Sequence, residues 1–155
     1  MFRLFWIALL GLAISLPIAA AEPGVKAQVV GGTLAGLPTH CGARLDLTNV
    51  DTLRLRCDKL EFEIEIPYPK VNTVEYGQNV SRRYAAAILI SPVLLLSKSR
   101  KHFVTLGYVD SDGKQQALVI RVEKGDIRTV LTGLEARTGR RVEYQDNEAR
   151  KAGKG

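Results

Sequence analysis

Apolar and polar residues alternate with a period of two through the middle of the chain, and that period predicts strands. Leu60, Phe62, Ile64 and Ile66 alternate with Glu61, Glu63 and Glu65, which describes a half-buried strand with its carboxylates in solvent. Upstream, 43–47 and 52–57 predict a hairpin around Thr48, Asn49, Val50 and Asp51. Downstream, 103–109 and 114–122 predict another around Asp110, Ser111, Asp112 and Gly113, a strong turn signal. Val104, Leu106 and Tyr108 share one parity and Leu118, Ile120 and Val122 share one, so turning both sets inward makes a core wall. A further strand over 71–76 follows the break at Pro67 and Pro69. The period then changes to that of a helix: Ile127, Val130, Leu131 and Leu134 fall at i, i+3, i+4 and i+7. Asp126 is placed to cap its start, Arg137 lies in its last turn, and Gly139 suits the left-handed residue beyond its end. Gly133 inside it costs about 1 kcal/mol of helix propensity and implies close packing. The fold class expected is mainly β (α+β), an antiparallel sheet or partly open barrel of about six to seven strands capped by one C-terminal amphipathic helix.

The ends of the chain read differently. Arg3, an apolar stretch from Leu4 to Leu16, Pro17 and then Ala19, Ala20 and Ala21 have the three-zone form of a secretory signal peptide, assigned to 1–21, with cleavage after Ala21 or Ala20. Thirteen apolar residues would span about 20 Å as a helix, short of a hydrocarbon core of about 30 Å. The protein is therefore expected to be exported, periplasmic or secreted. Segment 22–41, broken by Pro23, Gly24, Gly31, Gly32, Gly36 and Pro38, reads as a flexible entry with at most a short strand at 27–30. The domain proper is 42–144, and 145–155, polar and charged, reads as a disordered basic tail.

The formal net charge of +6 becomes +5 once Arg3 is removed. That balance suits an anionic membrane surface or an acidic partner, and export argues against nucleic acid. Cys41 and Cys57, the only two cysteines of an exported chain, are a disulfide candidate. Pairing Leu45 with Leu53 and Ala43 with Leu55 keeps the leucines on one face and sets Cys41 opposite Cys57 within bridging distance. The alternatives are two buried thiols or a zinc site with His40, which lacks a fourth ligand at any usual spacing. Glu61, Glu63 and Glu65 lack a histidine or a second carboxylate cluster nearby, so a solvated face is preferred to a metal site. No nucleophile and base arrangement and no glycine-rich loop before a helix is recognisable. The expectation is a non-enzymatic protein without a metal or other cofactor.

The run from Ile66 through Pro67, Tyr68, Pro69, Lys70, Val71, Asn72, Thr73, Val74, Glu75 and Tyr76 to Gly77, set in an antiparallel meander, resembles bacterial pleckstrin-homology-like domains. Leu131 to Gly139, followed by Arg140, Arg141, Val142, Glu143 and Tyr144, looks like that family's closing helix, and the resemblance covers roughly 42–144. It implies a binding role. By analogy with the phosphoinositide-binding branch, it places possible phosphate contacts at Arg44, Arg54 and Arg56, guanidinium groups that fork onto phosphate oxygens. The other reading of these arginines is an ordinary charged outer face.

One segment does not fit a plain scaffold. From Tyr76 to Val109 there is no acidic residue, and within that window 85–96 is almost wholly apolar. It is flanked by Arg82 and Arg83 on one side and by Lys98, Arg100, Lys101 and His102 on the other. An apolar-basic insertion over 82–102 suits docking, with Ile88, Leu89, Val93, Leu94, Leu95 and Leu96 as the apolar contacts and Arg82, Arg83, Lys98, Arg100 and Lys101 snorkelling to phosphates. The partner expected is an anionic membrane surface or an envelope protein. The plain alternative is a buried core segment. The function expected is a binding or scaffolding module at a membrane surface, followed by a soluble periplasmic adaptor or inhibitor that uses the same segment, with a small hydrolase last.

Overall fold

The computed structural model describes residues 23–79 and 101–154. Among them, eight strands form a single mixed sheet: β1 (Val25–Gly32), β2 (Gly42–Asp46), β3 (Thr52–Cys57), β4 (Glu63–Pro67), β5 (Val71–Gly77), β6 (His102–Val109), β7 (Gln115–Val122) and β8 (Glu143–Tyr144). A 3-10 turn at Tyr68–Lys70 links β4 to β5, and two helices, α1 (Ile127–Thr138) and α2 (Asn147–Lys154), lie toward the C-terminus. The strand order is β4-β3-β2-β1-β7-β6-β5-β8, so among the described residues β4 and β8 are the edges and the sheet is not closed. Every neighbouring pair is antiparallel except β5 and β8, which run parallel.

The alternation read from the sequence sets the core. Leu45, Leu53, Leu55, Ile66, Val74, Tyr76, Val104, Leu106, Leu118 and Ile120 meet Ile127, Val130, Leu131 and Leu134 of α1 in one apolar cluster. Gly139 takes the left-handed conformation past the end of α1 at φ +67°, and its N–H bonds the carbonyl of Glu135. A Cβ on Gly133 would stand 3.1 Å from Leu47, the close packing that its helical position implied. The turn at Asp110 closes as its residues dictate, the carboxylate accepting from the N–H groups of Asp112 and Lys114. On the face turned away from this core, Phe103, Thr105, Ala117 and Val119 are also buried. The middle of the sheet is thus covered on both sides, as its nearly continuous apolar strands require.

Several expectations need correction. Leu45 pairs with Leu55 and Ala43 with Cys57, a register two residues away from the pairing of Leu45 with Leu53. A slip of two preserves the faces, so every leucine stays inside. Cys41 then lies just before β2 rather than opposite Cys57, but the Cα atoms are 5.8 Å apart and the disulfide forms. Segment 22–41 holds β1, an eight-residue strand between β2 and β7. One of the glycines that suggested a break serves a close approach: a Cβ on Gly32 would stand 2.6 Å from the carbonyl oxygen of Ala117. Segment 145–155 holds α2, whose Ala149 is fully buried, so it is a docked helix and not a disordered tail. Asp126 makes no side-chain cap: its backbone is already helical (φ −100°, ψ −11°), and only its carbonyl serves the helix, accepting from Val130.

Candidate functional site

Of the docking residues, Arg82, Arg83, Ile88, Leu89, Val93, Leu94, Leu95, Leu96, Lys98 and Arg100 lie outside the described residues. What is described is the place where their segment joins the sheet. β5 ends at Gly77, which pairs with Phe103 at the start of β6. The connection therefore leaves and returns at one end of two adjacent strands, with half-buried Lys101 at the return.

The outer face of β1–β4 carries the arginines. Register places Lys26, Arg44 and Arg56 in one row across β1, β2 and β3, and Arg54 between Asp46 and Glu65 in the next. Arg54 is committed to the β4 carboxylates. Its Nη2 lies 2.5 Å from Glu65 Oε1 and its Nε 3.0 Å from Glu63 Oε1, with Nε also donating to Glu65. Two of the three strand glutamates thus form a cross-strand ion network, and no metal-binding group of His, Cys, Asp and Glu occurs among the described residues. Arg44 Nε is buried and lies 3.8 Å from Asp58 Oδ1, beyond hydrogen-bond reach. Beside it an open hollow of about 390 Å³ sits over Gly42, bounded by Lys26, Gln28, Asp58, Arg121 and Glu123. Cations and carboxylates balance around it, so it does not present a field of one sign. The three arginines therefore do not converge: Arg54 is neutralised at the β4 edge, and Arg44 and Arg56 stand side by side in the row shared with Lys26.

A second polar cluster, which the sequence reading passed over, closes the other end of the sheet. The Tyr76 hydroxyl lies 2.5 Å from Nδ1 of His102, with the two rings nearly parallel. Tyr144 meets the Tyr76 ring edge-on at 6.1 Å, and the guanidinium of Arg150 lies 6.0 Å above the Tyr144 ring. Burial raises the pKa of the Tyr76 phenol, while burial and the nearby Lys124 lower that of His102 against the opposing pull of Glu123. Either group can supply the hydrogen between them, according to the tautomer of the imidazole. The sequence signal was available in principle, since Tyr76 and His102 both fall at the mouth of the acid-free window.

Cys41 and Cys57 are joined to each other, which leaves neither sulfur for a zinc ion. The bridge ties the loop before β2 to the end of β3, beneath the row of Lys26, Arg44 and Arg56. Comparison of the chain with protein-family models and with curated proteins finds no match in either.

Proposed function

We propose that this chain is an exported, non-enzymatic binding or scaffolding module that works at an anionic membrane surface through the apolar-basic segment 82–102. The observation that carries this reading is the attachment of that segment. The connection that contains it leaves β5 after Gly77 and returns to β6, where Phe103 pairs with Gly77, on a sheet whose core face is already packed under α1. A connection mounted on a rigid scaffold is where binding residues concentrate. Its five cations, Arg82, Arg83, Lys98, Arg100 and Lys101, would each contribute about 1 kcal/mol near an anionic surface. The disulfide suits an oxidising compartment. No helix among the described residues is long and apolar enough to cross a membrane. Strands β2–β8 and α1 fall within 42–144, the range of the pleckstrin-homology-like resemblance, and β1 and α2 lie outside it.

A specific observation favours a second reading, in which 85–96 is internal packing. Phe103, Thr105, Ala117 and Val119 are buried on the face opposite the core, so this sheet has a second apolar side to cover. One experiment separates the two. The protein is sedimented with vesicles of phosphatidylglycerol and phosphatidylethanolamine at low and high salt, with Leu94→Ser/Leu95→Ser alongside. Docking predicts salt-sensitive binding that the variant weakens while its melting temperature is nearly unchanged, each buried leucine being worth about 1.5–3 kcal/mol. Internal packing predicts a sharp fall in melting temperature and no vesicle binding by the parent. No vesicle binding with stability retained in the variant would point instead to a protein partner in the envelope.

A further inference from the structure

The Tyr76 and His102 pair lies at the foot of the C-terminal segment, and the tyrosine ring is part of that segment's seat. Tyr76 is fully buried, its carbonyl accepts from the N–H of Gln145, and its ring is flanked edge-on by Tyr144. α2 comes so close that a Cβ on Gly153 would stand 3.2 Å from Tyr76 Cε1 and 2.7 Å from Tyr144 Cε1. A ring packed with so little clearance cannot shift without disturbing the helix laid against it.

Among the described residues, the charged and titratable groups around the pair are few. Glu123 and Lys124 follow Val122, the β7 partner of His102. Tyr144 comes from β8 and Arg150 from α2, while Lys101 precedes the imidazole on its own strand. Glu75 lies on β5 next to Tyr76 and accepts from the side chain of Gln145. The phenol and Nδ1 share one hydrogen, and protonation of the imidazole adds a charge to that part-buried contact.

We propose that His102 and Tyr76 form an acid-sensitive clasp for the C-terminal helix, in which a proton taken up by the imidazole places a positive charge against the buried Tyr76 seat, beside Lys124, and loosens α2 from the sheet. The proton comes from solvent and ends on the free nitrogen of the imidazole, and the phenol keeps its own proton. The clasp shares His102 with segment 82–102 but does not rest on what that segment binds.

The test is amide hydrogen exchange on the full exported chain in steps from pH 7.5 to pH 5.0, corrected for the intrinsic pH dependence of exchange, with the imidazole of His102 followed by NMR. The clasp predicts that protection of the α2 amides falls by about tenfold or more between the two ends of that range while β2 and β3 amides hold theirs. The α2 change should share its midpoint with the His102 titration. His102→Asn offers an amide oxygen near the Nδ1 position at every pH and should remove the pH dependence, whereas His40→Gln should leave it intact. Constant α2 protection in the parent, an undiminished loss in His102→Asn, or an α2 midpoint that departs from that of His102 would each overturn the proposal. The midpoint comparison needs only the parent protein, so it decides the matter even if the variant fails to fold.

Discussion

At the scale of single residues, the cross-link and the buried rings carry the consequences. Cys41 and Cys57 are 16 positions apart and bridged. Chain entropy alone assigns such a loop about 3 kcal/mol, so Cys41→Ser/Cys57→Ser should lower the urea-extrapolated stability by about that amount without changing the strand order. Removing the bridge should leave the register intact, because Leu45, Leu53 and Leu55 hold their face independently. The cross-link was legible from the count of cysteines and the expected compartment, although the register used to argue for it was two residues out. Local alternation constrains a strand's face and not its partner, and a slip of two changes only the partner. The pairing of Arg54 with Glu63 and Glu65 was illegible for the same reason, since it depends on which strand lies beside β3.

At the scale of elements, the two helices show how far pattern reading reaches. α1 was visible because its stripe of Ile127, Val130, Leu131 and Leu134 is apolar, and all four residues are buried. Leu134→Ala should cost about 2–5 kcal/mol, read as a shift in the denaturation midpoint at constant slope. α2 was read as a tail because its composition is polar. Its packing face is made of Ala149, Ala152 and Gly153, small residues that an apolar count scores weakly, and Asp146 caps it by accepting from the N–H of Ala149 at 2.7 Å. Asp146 and the small stripe were the available signal. Deleting 147–155 should therefore destabilise the protein, exposing Tyr76 and Leu131, and an unchanged melting temperature would show that the helix adds nothing. β1 was underestimated through its glycines, and the role of Gly32 in close approach to Ala117 depends on a strand far away in sequence.

At the scale of the whole molecule, the ionisable groups predict a stability maximum near neutral pH. Hydrogen bonds from Thr48 to Asp46, and from Gln116 and the Lys114 N–H to Asp110, lower the pKa of these carboxyls, and burial followed by Lys124 lowers that of His102. A group with a depressed folded pKa binds its proton more readily in the unfolded chain, so its contribution is present above the unfolded value and is lost as pH falls. The loss should begin with His102 below about pH 6.5 and continue with the aspartates below about pH 4. Burial raises the pKa of Tyr68, Tyr76, Tyr108 and Tyr144, so stability should also fall as pH rises through about 10. Urea midpoints measured from pH 4 to pH 10.5 should trace this dome, and a midpoint that keeps rising above pH 10 would contradict the burial of the phenols. By itself the sequence determined which faces of β2–β7 are apolar, the stripe of α1 and the two cysteines available for a bridge, because each of these reports a local period or a count. Only the tertiary structure decided the eight-strand order, the register of β2 on β3, the strand within 22–41, the helix within 145–155 and the meeting of Tyr76 with His102. Those depend on which distant segments become neighbours, a choice made by the packing of the whole core.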